Sequence, residues 1–198
     1  MIGKGVKASV GLLWAVAVAI APASAGAQNK ELSDKSVTML MQYAWAMTPA
    51  KFTTPQGKVI EVDKNKPKDV IIPLDVAREV IRVGRLSAYA QICELGEEQT
   101  ANYQTLMRRE AAKKKWSDQQ MLYITQLHLF TVMTLTGKVQ LVERDGDKQV
   151  VMKEGAPPKS ETCTDTERKK IQAQIMSYVN TQPAPATQAE TKATTQKK

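Results

Sequence analysis

Histidine is the scarcest of the side chains that could supply catalysis or metal binding, because the 198 residues contain only His128. A transition-metal site built on histidine needs several ligands, and a Ser-His-Asp or Cys-His site would have to use this one residue. His128 lies between Leu127 and Leu129 in the most apolar segment of the chain, where a histidine is usually a hydrogen-bonded core residue. We therefore expect no metal site and no cofactor.

The sequence also lacks the short motifs of common enzyme classes. It contains no nucleophile elbow, Walker loop, dinucleotide-binding glycine motif, haem-attachment motif or zinc-protease motif. Glu94, Glu97 and Glu98 cluster around Gly96. Nothing in the sequence places them in a cleft, however, and paired carboxylates act only when they flank a substrate. We expect a protein that is not an enzyme.

Cysteine is nearly as scarce, since Cys93 and Cys163 are the only two. They lack the Cys-x-x-Cys spacing of a redox-active pair. An even number of cysteines in an exported chain predicts a disulfide bond, which would stabilise the fold by about 4 kcal/mol in the chain-entropy model. Two buried thiols are the alternative.

Long apolar runs are limited to the N-terminus, where Lys4 and Lys7 precede the run Val10–Ile20 and small residues follow up to Ala27. This order is typical of a secretory signal peptide, and the run is too short to span a bilayer comfortably. We predict cleavage near Ala27, a periplasmic or secreted location, and no integral membrane span.

The remaining chain divides by composition into a folded part and a tail. We predict a signal peptide over residues 1–27, a single helical domain with a small β element over residues 28–182, and a disordered basic tail over residues 183–198. The formal charge of +8 falls to +6 when Lys4 and Lys7 are removed. This mild charge favours at most weak contact with an anionic membrane or cell-wall surface, and we expect no binding of nucleic acid.

The segment 117–136 organises the predicted fold. It carries no charge after Asp118 and has apolar residues on every face of a helix, which is typical of a buried helix. Ser117 and Gln120 form a capping box at its start, and Gly137 ends it. We predict a mainly α helical bundle around this central helix, with the other helices over residues 33–47, 73–95, 97–115 and 162–180.

Short alternating segments indicate a small β element. The segments 58–62, 138–143 and 148–152 alternate, 70–72 is a short apolar run, and Asp145-Gly146 is a strong hairpin signal. We predict a small antiparallel β-hairpin or three-stranded sheet at one end of the helices.

Two basic features are candidate contact surfaces. Lys64, Lys66 and Lys68 lie in one basic loop, which is the best candidate for contact with a partner. Arg78, Arg82 and Arg85 are spaced four and three apart, so they share one helix face. Such a face could bind phosphate or carboxylate groups, although it is more often simply the solvated side of a helix.

Two functions fit these observations. The first is an exported protein that binds a partner protein in the cell envelope. The alternative is a periplasmic carrier or chaperone for an apolar small molecule or lipid, with methionines around a cavity. The methionines available for such a cavity include Met39, Met41, Met107, Met121 and Met133. A central apolar helix is explained by core packing alone, so we favour partner binding.

Overall fold

A computed structural model describes residues 32–139, 142–145, 148–151 and 163–181. This part is mainly helical and contains two small antiparallel hairpins, which confirms the predicted fold class. The predicted signal peptide, its cleavage site and the predicted tail lie outside the described residues. The described helices are α1 (Asp34–Met47), α2 (Leu74–Ile92), α3 (Gly96–Ala112), α4 (Asp118–Leu135) and α5 (Asp165–Asn180).

Side-chain caps determine where three of these helices begin. Ser33 accepts a hydrogen bond from the Ser36 amide at the start of α1. Ser117 and Gln120 form the predicted capping box of α4, and Thr164 forms a second one with Glu167 at the start of α5. Each cap satisfies backbone N–H groups that have no partner inside the first helical turn.

The third helix is shorter at its end than predicted. It stops at Ala112, so the three consecutive lysines before Trp116 lie in the loop to α4 and not in the helix. Lys114 adopts a left-handed backbone conformation with φ of 52°, which ends the helical path. The chain therefore turns at this basic segment.

The main core is built around α4. Its largest fully buried side chains include Tyr123, Leu127 and Phe130. Two aromatic contacts join α4 to α1, where Phe130 stacks on Tyr43 and Tyr123 lies against Trp45. The Tyr123 hydroxyl also donates to a carbonyl of α1 at 2.8 Å. The central position of α4 agrees with the prediction.

The prediction that α4 is buried on every face is wrong. Leu129 is 44% exposed, and Thr125, Gln126 and Met133 are only half-buried. None of these side chains is charged, so the sequence pattern does not distinguish the outer face from the buried ones.

The strands form two separate hairpins, so the predicted antiparallel hairpin is confirmed and its alternative, a three-stranded sheet, is wrong. Strand β1 (Lys51–Thr53) pairs with β2 (Val59–Glu61), and β3 (Val142–Asp145) pairs with β4 (Lys148–Val151). The segment 70–72 is not a strand and follows a single 3₁₀ turn, Pro67–Asp69. Val70 and Ile72 are buried in the main core, so a core position explains their apolar character without a sheet.

Tyr178 of α5 belongs to the main core, whereas the start and middle of α5 pack on the end of α2 through a second, smaller cluster, which we call the α5 cluster. Its buried members are Ala90, Cys93, Leu95, Ile171 and Ile175. Cys93 and Cys163 form the predicted disulfide bond, with their Cα atoms 5.0 Å apart. The bond therefore joins the start of α5 to the end of α2.

Candidate functional site

Three polar side chains from α2, α3 and α4 meet inside the bundle. Ser87 Oγ lies 3.0 Å from His128 Nε2. Asn102 donates through Nδ2 to Ser87 Oγ at 2.9 Å and to the Val83 carbonyl at 3.0 Å. All three side chains are buried. We refer to Ser87, Asn102 and His128 as the polar network.

A glycine on α2 allows the helices to meet this closely. A Cβ atom on Gly84 would lie 2.9 Å from Cβ of Thr131 and 3.3 Å from the His128 carbonyl. Any larger residue at position 84 would push α2 away from α4. Ser87 lies one turn later, on the same side of α2, so the close approach at Gly84 also brings the Ser87 hydroxyl to the imidazole.

The direction of these hydrogen bonds follows from the available hydrogens. The Ser87 oxygen accepts from Asn102, and within the described residues the Ser87 hydrogen has no acceptor other than His128 Nε2. The neutral imidazole therefore carries its hydrogen on Nδ1. Burial lowers the pKa of His128 to about 4, which keeps the ring neutral at pH 7.

The polar network is closed to solvent. Ser87 and Asn102 are fully buried, and His128 is 6% exposed. The Tyr103 ring lies against the imidazole with the centroids 4.9 Å apart. A serine beside a neutral histidine has the composition of a nucleophilic site, but a substrate has no path to this serine. In this arrangement the network links three helices, and His128 is the hydrogen-bonded core residue that its apolar surroundings indicate.

A second polar cluster surrounds Tyr178 near the end of α5. The guanidinium carbon of Arg109 lies 4.2 Å from the ring centroid, and that of Arg82 lies 5.3 Å away. Arg109 also donates to the Tyr178 and Thr181 carbonyls, where a positive charge complements the helix dipole. Burial raises the pKa of Tyr178 to about 12, so the phenol stays neutral. These contacts hold the end of α5 against α2 and α3.

The predicted arginine face is largely engaged within the protein. Arg78 pairs with Asp34 and donates to a carbonyl just before α1. Arg82 binds both oxygens of Glu79, at 2.7 and 2.8 Å, and this contact raises its pKa. Arg85 is half-buried and has no ion-pair partner among the described residues. Of these three arginines, Arg85 is therefore the one whose guanidinium is not in an ion pair with a described residue.

The predicted basic loop also has an internal role. Lys64 donates to the Trp45 and Thr48 carbonyls, and its ammonium lies 3.9 Å from the Trp45 ring centroid. It therefore caps the end of α1, whose last turn has no basic residue. Burial lowers the pKa of Lys64. Lys66 and Lys68 are exposed, with Lys66 3.6 Å from Asp63, so these two remain accessible for contact.

Exposed apolar side chains concentrate near the β1–β2 hairpin. Met47, Phe52 and Val59 are 44%, 36% and 48% exposed, and they are three of the five large apolar side chains that are exposed in the described part of the chain. Phe52 pairs with Ile60, and Val59 pairs with Thr53, so Phe52 and Val59 point to opposite faces of the hairpin. We call Met47, Phe52 and Val59 the hairpin surface.

Lysines accompany the hairpin surface. Lys51 is 67% exposed and lies 3.9 Å from Glu61, a long contact for an ion pair. Lys58 lies 2.6 Å from Asp118, an exposed ion pair that joins the hairpin to the start of α4. Sequence reasoning missed this surface because it did not identify β1, whose three residues are too few to show an alternating pattern.

A buried carboxylate at the junction of α3 and α4 was also missed. Glu110 is 2% exposed, accepts from Trp116 Nε1 at 2.8 Å and pairs with Lys113 at 2.7 Å. The sequence shows Lys113 three residues after Glu110, which indicates an ion pair. This spacing is common on helix surfaces, so it does not indicate that Glu110 is buried. The burial depends on the fold of Trp116 back over the helix end, which local periodicity does not describe.

The described residues contain no group of three or more histidine, cysteine or acidic side chains placed to hold a metal ion. None of the helices described is both long and apolar enough to cross a bilayer. A concavity in the described part of the chain is an open depression on α3, lined by Gly96, Glu97, Thr100, Ala101 and Gln104. It is not the enclosed apolar void that a carrier needs.

The methionines considered for a carrier cavity have other positions. Met41 is buried in the main core, and Met107, Met121 and Met133 are half-buried against it. They fill the margin of the core, which is a usual place for flexible methionine side chains.

No model of a known protein family matches this chain, and no curated protein or solved structure is significantly similar to it.

Proposed function

We propose that this chain is an exported, non-catalytic protein that binds a partner protein in the cell envelope through its hairpin surface. Export is supported by the N-terminal pattern of Lys4, Lys7 and an apolar run. The Cys93–Cys163 disulfide adds support, because such bonds persist mainly in oxidising compartments.

The concentration of exposed apolar side chains at the hairpin carries the proposal of partner binding. Single exposed apolar residues are normal on protein surfaces, whereas grouped ones are typical of interaction sites. Phe52 and Val59 lie on opposite faces of a hairpin that is exposed at nearly every position from Lys51 to Val59. A partner that encloses the hairpin would bury both side chains.

The charges beside the hairpin indicate the chemistry of the partner. Lys51 has only a distant contact with Glu61, and Lys66 and Lys68 are exposed in the loop that follows. We therefore propose a partner surface with an apolar centre and carboxylates around it, because charges at the edge of an interface guide association and orientation.

The test is native mass spectrometry of the mature protein purified from its own periplasm with its thiols unreduced. We expect a complex with a second protein, and a mature chain that starts at Gln28. The double variant Phe52→Ser and Val59→Thr should reduce the complex at least tenfold. The control Met176→Thr changes a side chain of similar exposure on α5 and should leave the complex intact.

Three outcomes would contradict the proposal. A complex that survives the hairpin substitutions would place the interface elsewhere. A bound lipid or other apolar small molecule in place of a protein would favour the carrier. An uncleaved chain in the cytoplasm with free thiols would remove the basis for export.

A further inference from the structure

The polar network has a feature that packing alone does not explain. Asn102 Oδ1 is the one buried side-chain polar atom in the described residues that lacks a hydrogen-bond partner. Buried polar atoms are usually paired because an unpaired one has lost its bonds to water without replacement. This unpaired oxygen belongs to the same carboxamide that donates to Ser87, next to the only histidine of the chain.

We propose that the polar network is an acid-sensitive latch, in which one proton taken up by His128 reverses the Ser87–His128 hydrogen bond and loosens the contact between α3 and α4. The latch depends on neither partner binding nor export. It concerns how the three helices respond when the pH falls.

Protonation cannot be accommodated by the hydrogen bonds present at neutral pH. The added hydrogen makes Nε2 a donor to Ser87 Oγ, which already accepts from Asn102. The Ser87 hydrogen then needs a new acceptor, and Asn102 Oδ1 supplies one if the carboxamide rotates by half a turn. That rotation removes the amide donor from the Val83 carbonyl and leaves Nδ2 unpaired in place of Oδ1, so the protonated network still has an unpaired group and now holds a buried positive charge as well.

The groups around His128 do not compensate for its positive charge. From α3 the titratable neighbour is Tyr103, whose ring face attracts a cation only weakly. From α2 the neighbours are Ser87 and the backbone at Gly84, and from α4 itself Thr131 lies one turn away. Burial is the cause of the lowered His128 pKa, and no carboxylate contributes to it.

The α3–α4 contact is where the structure should open. The contact of α2 with α4 is tightly packed at Gly84, whereas α3 meets α4 through the half-buried side chains of Tyr103, Met107 and Thr125. The Tyr103 hydroxyl lies 3.4 Å from Thr125 Oγ1, a long hydrogen bond. Displacement of Tyr103 would let water reach the imidazole. It would disrupt less packing than a separation of α2 from α4.

The direction of the pH effect follows from linkage. Well above pH 6.5 neither the folded nor the unfolded chain protonates this histidine, and the network is fully stabilising. Between pH 6.5 and about 4 the unfolded chain takes up the proton first. The ratio of folded to unfolded protein should therefore fall by about 80-fold over this interval, and by about 300-fold in total at still lower pH, because of His128 alone.

Two measurements test the latch. The single histidine gives one imidazole signal in NMR spectra of the untagged protein, so its titration can be read directly and should have its midpoint below pH 5. Hydrogen exchange, corrected for intrinsic rates, should be faster in α3 and α4 at pH 4.5 than at pH 7, with α1 less affected. The variant His128→Gln keeps an acceptor for Ser87 but cannot take up the proton, and it should lose this pH difference.

An imidazole that titrates near pH 6.5 in the folded protein would overturn the proposal. So would equal acceleration of exchange in wild type and His128→Gln, because carboxylates would then explain the pH dependence. If His128→Gln does not fold, hydrogen exchange of the wild-type protein at the two pH values is the test. Exchange in α3 and α4 that stays the same after His128 has been protonated would overturn the latch.

Discussion

The main core and the α5 cluster are stabilised in different ways. The main core buries large side chains from α1, α2 and α4, including Tyr123, Leu127 and Phe130. The α5 cluster buries few side chains, and from α5 itself these are Ile171 and Ile175. Within the α5 cluster, the Cys93–Cys163 disulfide bond joins the end of α2 to the start of α5, and Arg109 binds the last carbonyls of that helix.

The difference indicates that α5 depends on its attachments more than on its burial. Burying one large aliphatic side chain contributes about 1.5–3 kcal/mol, while ordering each backbone residue costs about 1–2 kcal/mol. Burial of two isoleucines and Tyr178 contributes little free energy compared with the cost of ordering a helix of 16 residues. We therefore expect α5 to separate from the body before the main core unfolds.

The largest effect should come from a cavity in the main core. Phe130→Ala removes a fully buried ring that stacks on Tyr43, and it should lower the free energy of unfolding by about 5 kcal/mol. The neighbouring change Leu129→Ala is the control, because Leu129 is 44% exposed, and it should cost less than about 1 kcal/mol. Chemical denaturation measures both. Equal losses would mean that the outer face of α4 is also packed.

Removal of the disulfide should cause the next largest loss of stability, and this loss should be concentrated in the α5 cluster. The double variant Cys93→Ala and Cys163→Ala opens a loop with a sequence separation of 70 and should cost about 4 kcal/mol in the chain-entropy model. Hydrogen exchange should show the loss of protection mainly in α5, while α4 stays protected. A uniform loss over both helices would show that the two regions unfold together.

The smallest effects should come from two matched helix caps. Ser117 and Thr164 each accept from a backbone amide at 3.2 Å within a capping box, so Ser117→Ala and Thr164→Ala remove equivalent bonds worth about 1 kcal/mol. Thr164→Ala should increase exchange in α5 alone, whereas Ser117→Ala should lower the midpoint of global denaturation. If both variants change only global stability, α5 does not open separately.

Local sequence signals predicted the helices well because caps and apolar spacing act over a few residues. Ser117 caps α4 as predicted, and Ser33 and Thr164 cap the helices that follow them. The disulfide followed from the number of cysteines and the expected compartment, without knowledge of distances. The prediction for α3 ended three residues too late because lysine is a good helix former, and the turn at Lys114 depends on Trp116 folding back to Glu110.

Features that depend on distant residues could not be predicted in the same way. Val70 and Ile72 resemble a strand in sequence, but the main core provides their packing. The role of Lys64 as a cap for α1 depends on contacts with residues 16 and 19 positions earlier. The polar network requires Ser87, Asn102 and His128 from three helices, and Asn102 sits in a largely polar helix that gives no sign of its burial.

The two tryptophans of the described body make its fluorescence a selective optical probe. Each indole has a lysine ammonium over its ring, with Lys64 3.9 Å from Trp45 and Lys115 4.3 Å from Trp116. A charge this close changes the energy of the excited indole, so emission should shift when either lysine is acetylated. Neither indole lies among the residues of the α5 cluster. Tryptophan emission should therefore change when the main core unfolds and change very little when α5 detaches.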